Sequence, residues 1–140
     1  MLRKQKGFTL IELLVVLGIV AMLASLVGPS VFKRLAPAKR DVAKAQIENF
    51  SSALDTFYVD NGRFPAANEG LNALVVKPAS LNKWNGPYIK KGVPKDPWGN
   101  DYIYRVPGRM GSYEVISTGA DGIEGGEKEN ADIDSFSNAD

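Results

Sequence analysis

Apolar residues run almost unbroken from Phe8 to Val27, FTLIELLVVLGIVAMLASLV, with a single charge at Glu12. At ~1.5 Å rise per residue such a helix spans roughly 30 Å, about one bilayer core. Gly28-Pro29 interrupts the run, and proline inside a helix removes a hydrogen bond and predicts a kink. The pattern then turns amphipathic. Val42, Ala45, Ile47, Phe50, Ala53, Leu54, Phe57 and Tyr58 fall mainly at three- and four-residue spacing, with Lys39, Arg40, Lys44, Gln46, Glu48, Ser52 and Asp55 on the other side. Asn61-Gly62 supplies a carboxyl-terminal cap. One long helix over about 9–60 is predicted, lipidic in its first half and packed on a soluble domain in its second, with Pro37 as a second point of bending.

Residues 63–100 are rich in turn signals: Phe64-Pro65, Lys77-Pro78, Asn85-Gly86-Pro87, Val93-Pro94, Asp96-Pro97 and Trp98-Gly99-Asn100. A short helix is expected at 68–76, capped by Asn68 and burying Leu71, Leu74 and Val75. DYIYRV (101–106) and SYEVIST (112–118) alternate as strands, and PGRMG between them suits a hairpin loop. The fold class is therefore α+β, a long amino-terminal helix packed on a small antiparallel sheet. No internal repeat is visible.

Length and charge add limits. A chain of 140 residues with net charge +1 has room for one modest core and carries no global bias toward nucleic acid or an anionic surface. Locally it is polarised. Arg3, Lys4 and Lys6 sit at the start, and from Tyr113 onward there are eight acids against one base, Lys128. With no cysteine and no histidine, disulfides, thiol chemistry and the usual catalytic dyads are excluded. Any metal site must be built from oxygen, which favours a hard cation.

The apolar run alone allows a secretory signal peptide, with Ala24, Ser25, Gly28 and Ser30 as loose cleavage positions, or a plain anchor held by the basic start. The run is longer than a usual signal core, and a signal peptide has no use for Glu12. The residues KGFTLIE (6–12) resemble the processing site of the type IV pilin superfamily. The resemblance implies a leader at 1–7, cleavage by a prepilin peptidase between Gly7 and Phe8, N-methylation of Phe8 and a transmembrane polymerisation helix at 8–28. It also implies a role for Glu12. A carboxylate in the membrane costs ~2.5–3.5 kcal/mol, and pairing with the free amine of a neighbouring subunit's first residue offsets that and sets subunit height. Without the resemblance, Glu12 is a carboxylate near a helix start that snorkels or favours the helix dipole.

GPYIKKGVPKDPWGNDYIY (86–104) and NEGLNAL (68–74) are similar to the major pseudopilins of type II secretion systems. Trp98, Tyr88 and Tyr102 are expected to pack rather than to bind ligand. The resemblance implies a structural subunit, not an enzyme. It implies a single pass of the bacterial inner membrane, and a periplasmic head at 29–140 that includes the amphipathic half of the helix. The subunit would form a helical homo-oligomer, the pseudopilus, together with minor pseudopilins and an inner-membrane assembly platform. A separate ATPase would power polymerisation, and the filament would drive folded proteins across the outer membrane.

STGADGIEGGEKENADIDSF (117–136) is acidic and glycine-rich. It lacks the Gly-Lys-Ser/Thr of a phosphate loop and the Asp-x-Asp-x-Asp-Gly of an EF-hand. It reads either as a solvated disordered tail or as a loop closed by calcium, whose 6–8 oxygens at ~2.3–2.6 Å can include carboxylates and backbone carbonyls. The resemblance implies the second, with Ca2+ held by the side chains of Asp121 and Asp132, the carbonyls of Thr118 and Ile123, and Glu129 or Asn130. The competing class is a type IV pilin of an adhesion or DNA-uptake pilus. Lys77, Lys83, Lys90, Lys91 and Lys95 near Trp84 and Tyr88 would be its basic stripe, but they read as a solvated face, so no nucleic-acid partner is expected.

Overall fold

The computed structural model describes residues 7–136, with side-chain placement at 29, 30, 32 and 33 left aside. Arg3, Lys4 and Lys6 lie outside the described residues. The chain divides into two compact units, 1–37 and 38–140. Helix α1 spans Leu10–Asn61.

In the first unit every residue from Leu10 to Val27 is exposed. The helix stops neither at Gly28-Pro29 nor at Pro37, as the single long helix expected over about 9–60 requires. Each proline forfeits only its own N–H bond, and the flanking bonds suffice to continue the helix. The C-terminal end is as the sequence expects: Gly62 takes φ 71° and its N–H donates to the Tyr58 carbonyl at 2.7 Å.

In the second unit α1 buries Ala43, Ile47, Phe50, Ala53, Leu54 and Phe57. The expected stripe needs correcting at its margins, because Val42, Ala45 and Tyr58 are exposed. The steps 43-47-50-54-57 hold one helix face, and at about 100° per residue positions 42, 45 and 58 rotate off it. The expected helix at 68–76 is only a 3-10 turn, Leu71–Leu74, burying Leu71, Ala73 and Leu74. Asn68 does not cap it. Gly70 precedes it at φ 59°, a left-handed conformation that prevents an earlier start.

Three antiparallel strands follow in the order β1 (Ile103–Arg105), β2 (Glu114–Ser117), β3 (Ile133–Asp134). Tyr104 faces Val115 across β1–β2, and Ser117 faces Ile133 across β2–β3. The two expected strands are present but shorter, and β3 was not expected. All four β2 residues are buried, because β2 is the central strand: Val115 joins the core with Tyr102 and Ile133. Buried Glu114 is met by Arg109, Nη2 to Oε1 2.6 Å, and by Arg105 at 3.7 Å.

The aromatics of 84–104 pack as the sequence predicts. Tyr102 meets Phe50 edge-on at 4.9 Å, Tyr88 meets Phe57 at 5.5 Å, and Trp84 Nε1 donates to the Ala73 carbonyl at 3.0 Å. Glu69 is fixed by both arms of Arg63 at 2.7 and 2.9 Å, by the Ala66 N–H at 2.8 Å and by the Ser80 hydroxyl. The Arg63 hydrogen bond, helped by those of Ser80 and Ala66, holds its carboxyl at about 2 instead of the ordinary 4.5. A depressed carboxylate stabilises the fold above its unfolded value and loses that contribution as pH falls through its folded one. Acid should therefore cost about 1–2 kcal/mol between pH 4.5 and 2 through this residue. Thermal melts across that window should show Glu69→Gln less stable near neutrality and less acid-sensitive than wild type.

Candidate functional site: the helix start and the carboxyl-terminal loop

Two places hold the residues that the sequence singles out. At the first, Phe8 is 92% exposed and α1 begins two residues later. Thr9 caps the helix: its Oγ1 accepts the Glu12 N–H at 3.3 Å. Glu12 Oε2 in turn accepts the Thr9 N–H at 2.8 Å and the Thr9 hydroxyl at 2.9 Å. This is a reciprocal capping box, which satisfies two otherwise open donors. Sequence reasoning missed it, although Thr-x-x-Glu ahead of an apolar run is its signature. The stretch behind it, Leu10–Gly28, has mean hydropathy 2.7 over 19 residues and none buried, long and apolar enough to cross a membrane.

At the second, the loop after β2 is closed on itself. Ala120 N–H donates to the Glu129 carbonyl at 3.0 Å, and Gly125 N–H to Asp132 Oδ2 at 2.9 Å. Gly119 sits at φ 66°, and a Cβ there would come within 3.0 Å of the Glu129 and Asn130 carbonyls, so the close approach requires glycine. Asp121 Oδ1 caps the turn by accepting the Ile123 N–H at 3.1 Å. Thr118 is buried, whereas Asp121, Ile123, Glu129 and Asn130 are exposed. Asp132 Oδ1 is a buried oxygen with no hydrogen-bond partner among the described residues. An anionic oxygen in that state is costly unless something fills its coordination. Among the described residues no three acidic side chains gather to hold a metal. An ion here would depend on backbone carbonyls beside Asp121 and Asp132, a donor set that suits calcium.

Residues elsewhere in the chain shape this loop, and sequence reasoning did not assign them to it. Asp96, 4% exposed, accepts the N–H groups of Trp98 and Asn100 at 3.0 and 2.8 Å on one oxygen and the Ser117 hydroxyl at 2.8 Å on the other. It thus folds DPWGN against the end of β2, and Asn100 Nδ2 reaches the Gly119 carbonyl at 3.2 Å. Arg105 pairs with Glu124. Arg40 of α1 donates to the carbonyls of Ala131 and Lys128 at 2.8 and 3.2 Å.

The exposed apolar helix behind the amino-terminal capping box is the surface that lipid or neighbouring helices would have to cover. Residues 2–28 match the prokaryotic N-terminal methylation motif, and residues 30–136 match the family described as type II secretion system protein G. The chain is 45% identical over 139 residues to type II secretion system core protein G of Pseudomonas aeruginosa, covering 97% of this chain and 98% of that one. It is 46% identical over 135 residues to the protein of that description from Vibrio cholerae, covering 94% and 92%. The crystal structure of the major pseudopilin from the type 2 secretion system of enterohaemorrhagic Escherichia coli superposes with TM-score 0.63 at 32% identity, over 77% of this chain and 95% of that one. The chain belongs to the type II secretion system protein G family: it is a structural pseudopilin subunit for secretion, not an enzyme.

Proposed function

We propose that a prepilin peptidase removes residues 1–7, that residues 8–28 span the bacterial inner membrane once, and that residues 29–140 form a periplasmic head. Subunits then leave the bilayer and join a helical homopolymer, with minor pseudopilins and an inner-membrane assembly platform as partners. Growth of that filament drives folded proteins across the outer membrane. The carrying observation is the exposed apolar helix at Leu10–Gly28, which lies within the methylation-motif match at 2–28. Such a surface needs lipid before assembly and other helices after it. In the lone subunit Glu12 is satisfied by Thr9. On assembly its carboxylate exchanges that partner for the Phe8 amine of a neighbour, a stronger pair where the dielectric is low. A type IV pilin of an adhesion or DNA-uptake pilus is the weaker reading, since the family match is to a secretion protein.

The mature chain should begin at Phe8 and carry a methyl group on its amine. Intact-mass measurement of membrane-extracted protein checks this. A mass matching cleavage between Ser25 and Ser30, or an uncut chain where the peptidase is active, would overturn it.

The loop reads best as a calcium clip. Asp121 and Asp132 would supply charge, and the carbonyls of Thr118 and Ile123 with Glu129 or Asn130 would complete the shell. The unpartnered Asp132 oxygen supports this. Bound calcium would crosslink a segment that has little apolar surface to order it.

A further inference from the structure

The 119–131 loop is exposed along almost its whole length and holds no buried apolar side chain to anchor it. Yet it carries a conformational cost: Lys128 sits at φ 56°, the one positive-φ residue other than glycine among those described. Such a conformation persists only where the surroundings impose it. Two contacts hold it there: the Ala131 N–H donates to the Lys128 carbonyl at 3.3 Å, and Arg40 Nη1 donates to the Lys128 carbonyl at 3.2 Å and to the Ala131 carbonyl at 2.8 Å, across 88 and 91 residues of sequence. Ala131 is the residue before Asp132, whose Oδ1 is buried and unpartnered.

From this geometry we infer that Arg40 is a positioning residue: it seats the loop on α1 and so sets the loop's affinity for its cation. The inference rests on the calcium reading above. A glycine-rich loop must lose its freedom when it coordinates an ion, and every part already held lowers that cost. Arg40 holds the stretch that leads into Asp132, and does so through the backbone, so it makes no demand on the acidic side chains. Its own charge opposes a nearby cation, but the guanidinium is engaged by two carbonyls and the surrounding loop is anionic, with Glu124, Glu127 and Glu129 exposed. Both bonds leave one nitrogen, Nη1, whose N–H directions the planar guanidinium fixes, whereas an ammonium on a flexible stem places the same two bonds less firmly.

The test is calorimetric titration of calcium chloride into the full chain in detergent micelles, as wild type, Arg40→Met and Arg40→Lys, with thermal melts of each in chelator. Arg40→Met should bind calcium about tenfold more weakly, the loss expected for charge-assisted hydrogen bonds. Arg40→Lys should fall between. Adding Lys128→Gly to Arg40→Met should recover part of the affinity, since glycine takes a positive φ without steric cost. A residue that merely supported the head would lower the chelator melt and show no such recovery. Unchanged or tighter calcium binding by Arg40→Met overturns the inference alone. Should Arg40→Met fail to fold, Arg40→Lys at wild-type affinity overturns it equally. Absence of binding by wild type overturns the calcium reading, and the positioning role falls with it.

Discussion

Glu12→Val is expected to abolish secretion while leaving membrane insertion and processing largely intact. Insertion should improve, because a carboxylate costs ~2.5–3.5 kcal/mol in the bilayer and valine costs nothing. Loss of the capping box removes about 0.5–2 kcal/mol of support from the first turn of α1, which a helix of 52 residues tolerates. The defect therefore belongs to the charge. Glu12→Gln separates the two roles. Its amide oxygen still accepts from Thr9, so the helix start is kept, but it cannot neutralise a neighbour's amine. Secretion should fail with Gln as it does with Val. Secreted protein measured at native expression decides the matter: normal export by Glu12→Val would show the charge to be incidental, and normal export by Glu12→Gln alone would make the cap, not the charge, the working element.

Asp132→Ala and Asp121→Ala should each abolish the stabilisation of the head by calcium. A ligand at a hundred times its dissociation constant adds ~2.7 kcal/mol, several degrees of melting temperature for a domain of this size. Millimolar calcium suffices for even a weak site, since extracellular modules work at dissociation constants of ~10⁻⁴–10⁻³ M. The double variant should match either single one, because both act through one ion. Magnesium should substitute poorly, as it demands a tight octahedron and keeps its water. The two single variants should differ in chelator. Asp132→Ala deletes a buried unpartnered oxygen along with the bond to Gly125, two effects of opposite sign, whereas Asp121→Ala loses only an exposed turn cap at Ile123. Melting curves with calcium and with chelator check both points. A calcium shift that survives in either variant would remove that residue from the site.

What could be read from the chain depended on whether the signal was local. The α1 stripe, its glycine cap and the packing aromatics all announce themselves within a few residues, and the structure places them as expected apart from Val42, Ala45 and Tyr58 at the stripe's edge. Both prolines lie within α1, as the single long helix read over about 9–60 expects, because each forfeits only its own bond and the flanking ones remain. The start of the 3-10 turn was misplaced because Asn68 is a good cap by type, while the backbone at Gly70 decides the geometry. β3 is two residues long in a run of acids, too short to alternate visibly. Its pairing partner lies 16 residues back, from Ile133 to Ser117. The supports of the loop were illegible for the same reason. Nothing near Arg40, Asp96 or Asn100 in sequence points to residues 117–131, and only the fold brings them together.

β3 also fixes when the head can be finished. Ile133, almost the last residue described, fills the core and closes the sheet on β2. Until Ile133 has been made and has left the ribosome, β2 lacks one neighbour and the loop has nowhere to end. The apolar helix is made first, and it can enter a bilayer while the head is still an open chain. At ~5–20 residues per second during synthesis, the hundred-odd residues between the apolar helix and Ile133 give a lag of about 5–20 seconds. During that lag the head lacks its closing strand. Whatever protects it from proteolysis and from premature self-association must act in that interval, and a truncated chain that stops short of Ile133 stays in it permanently.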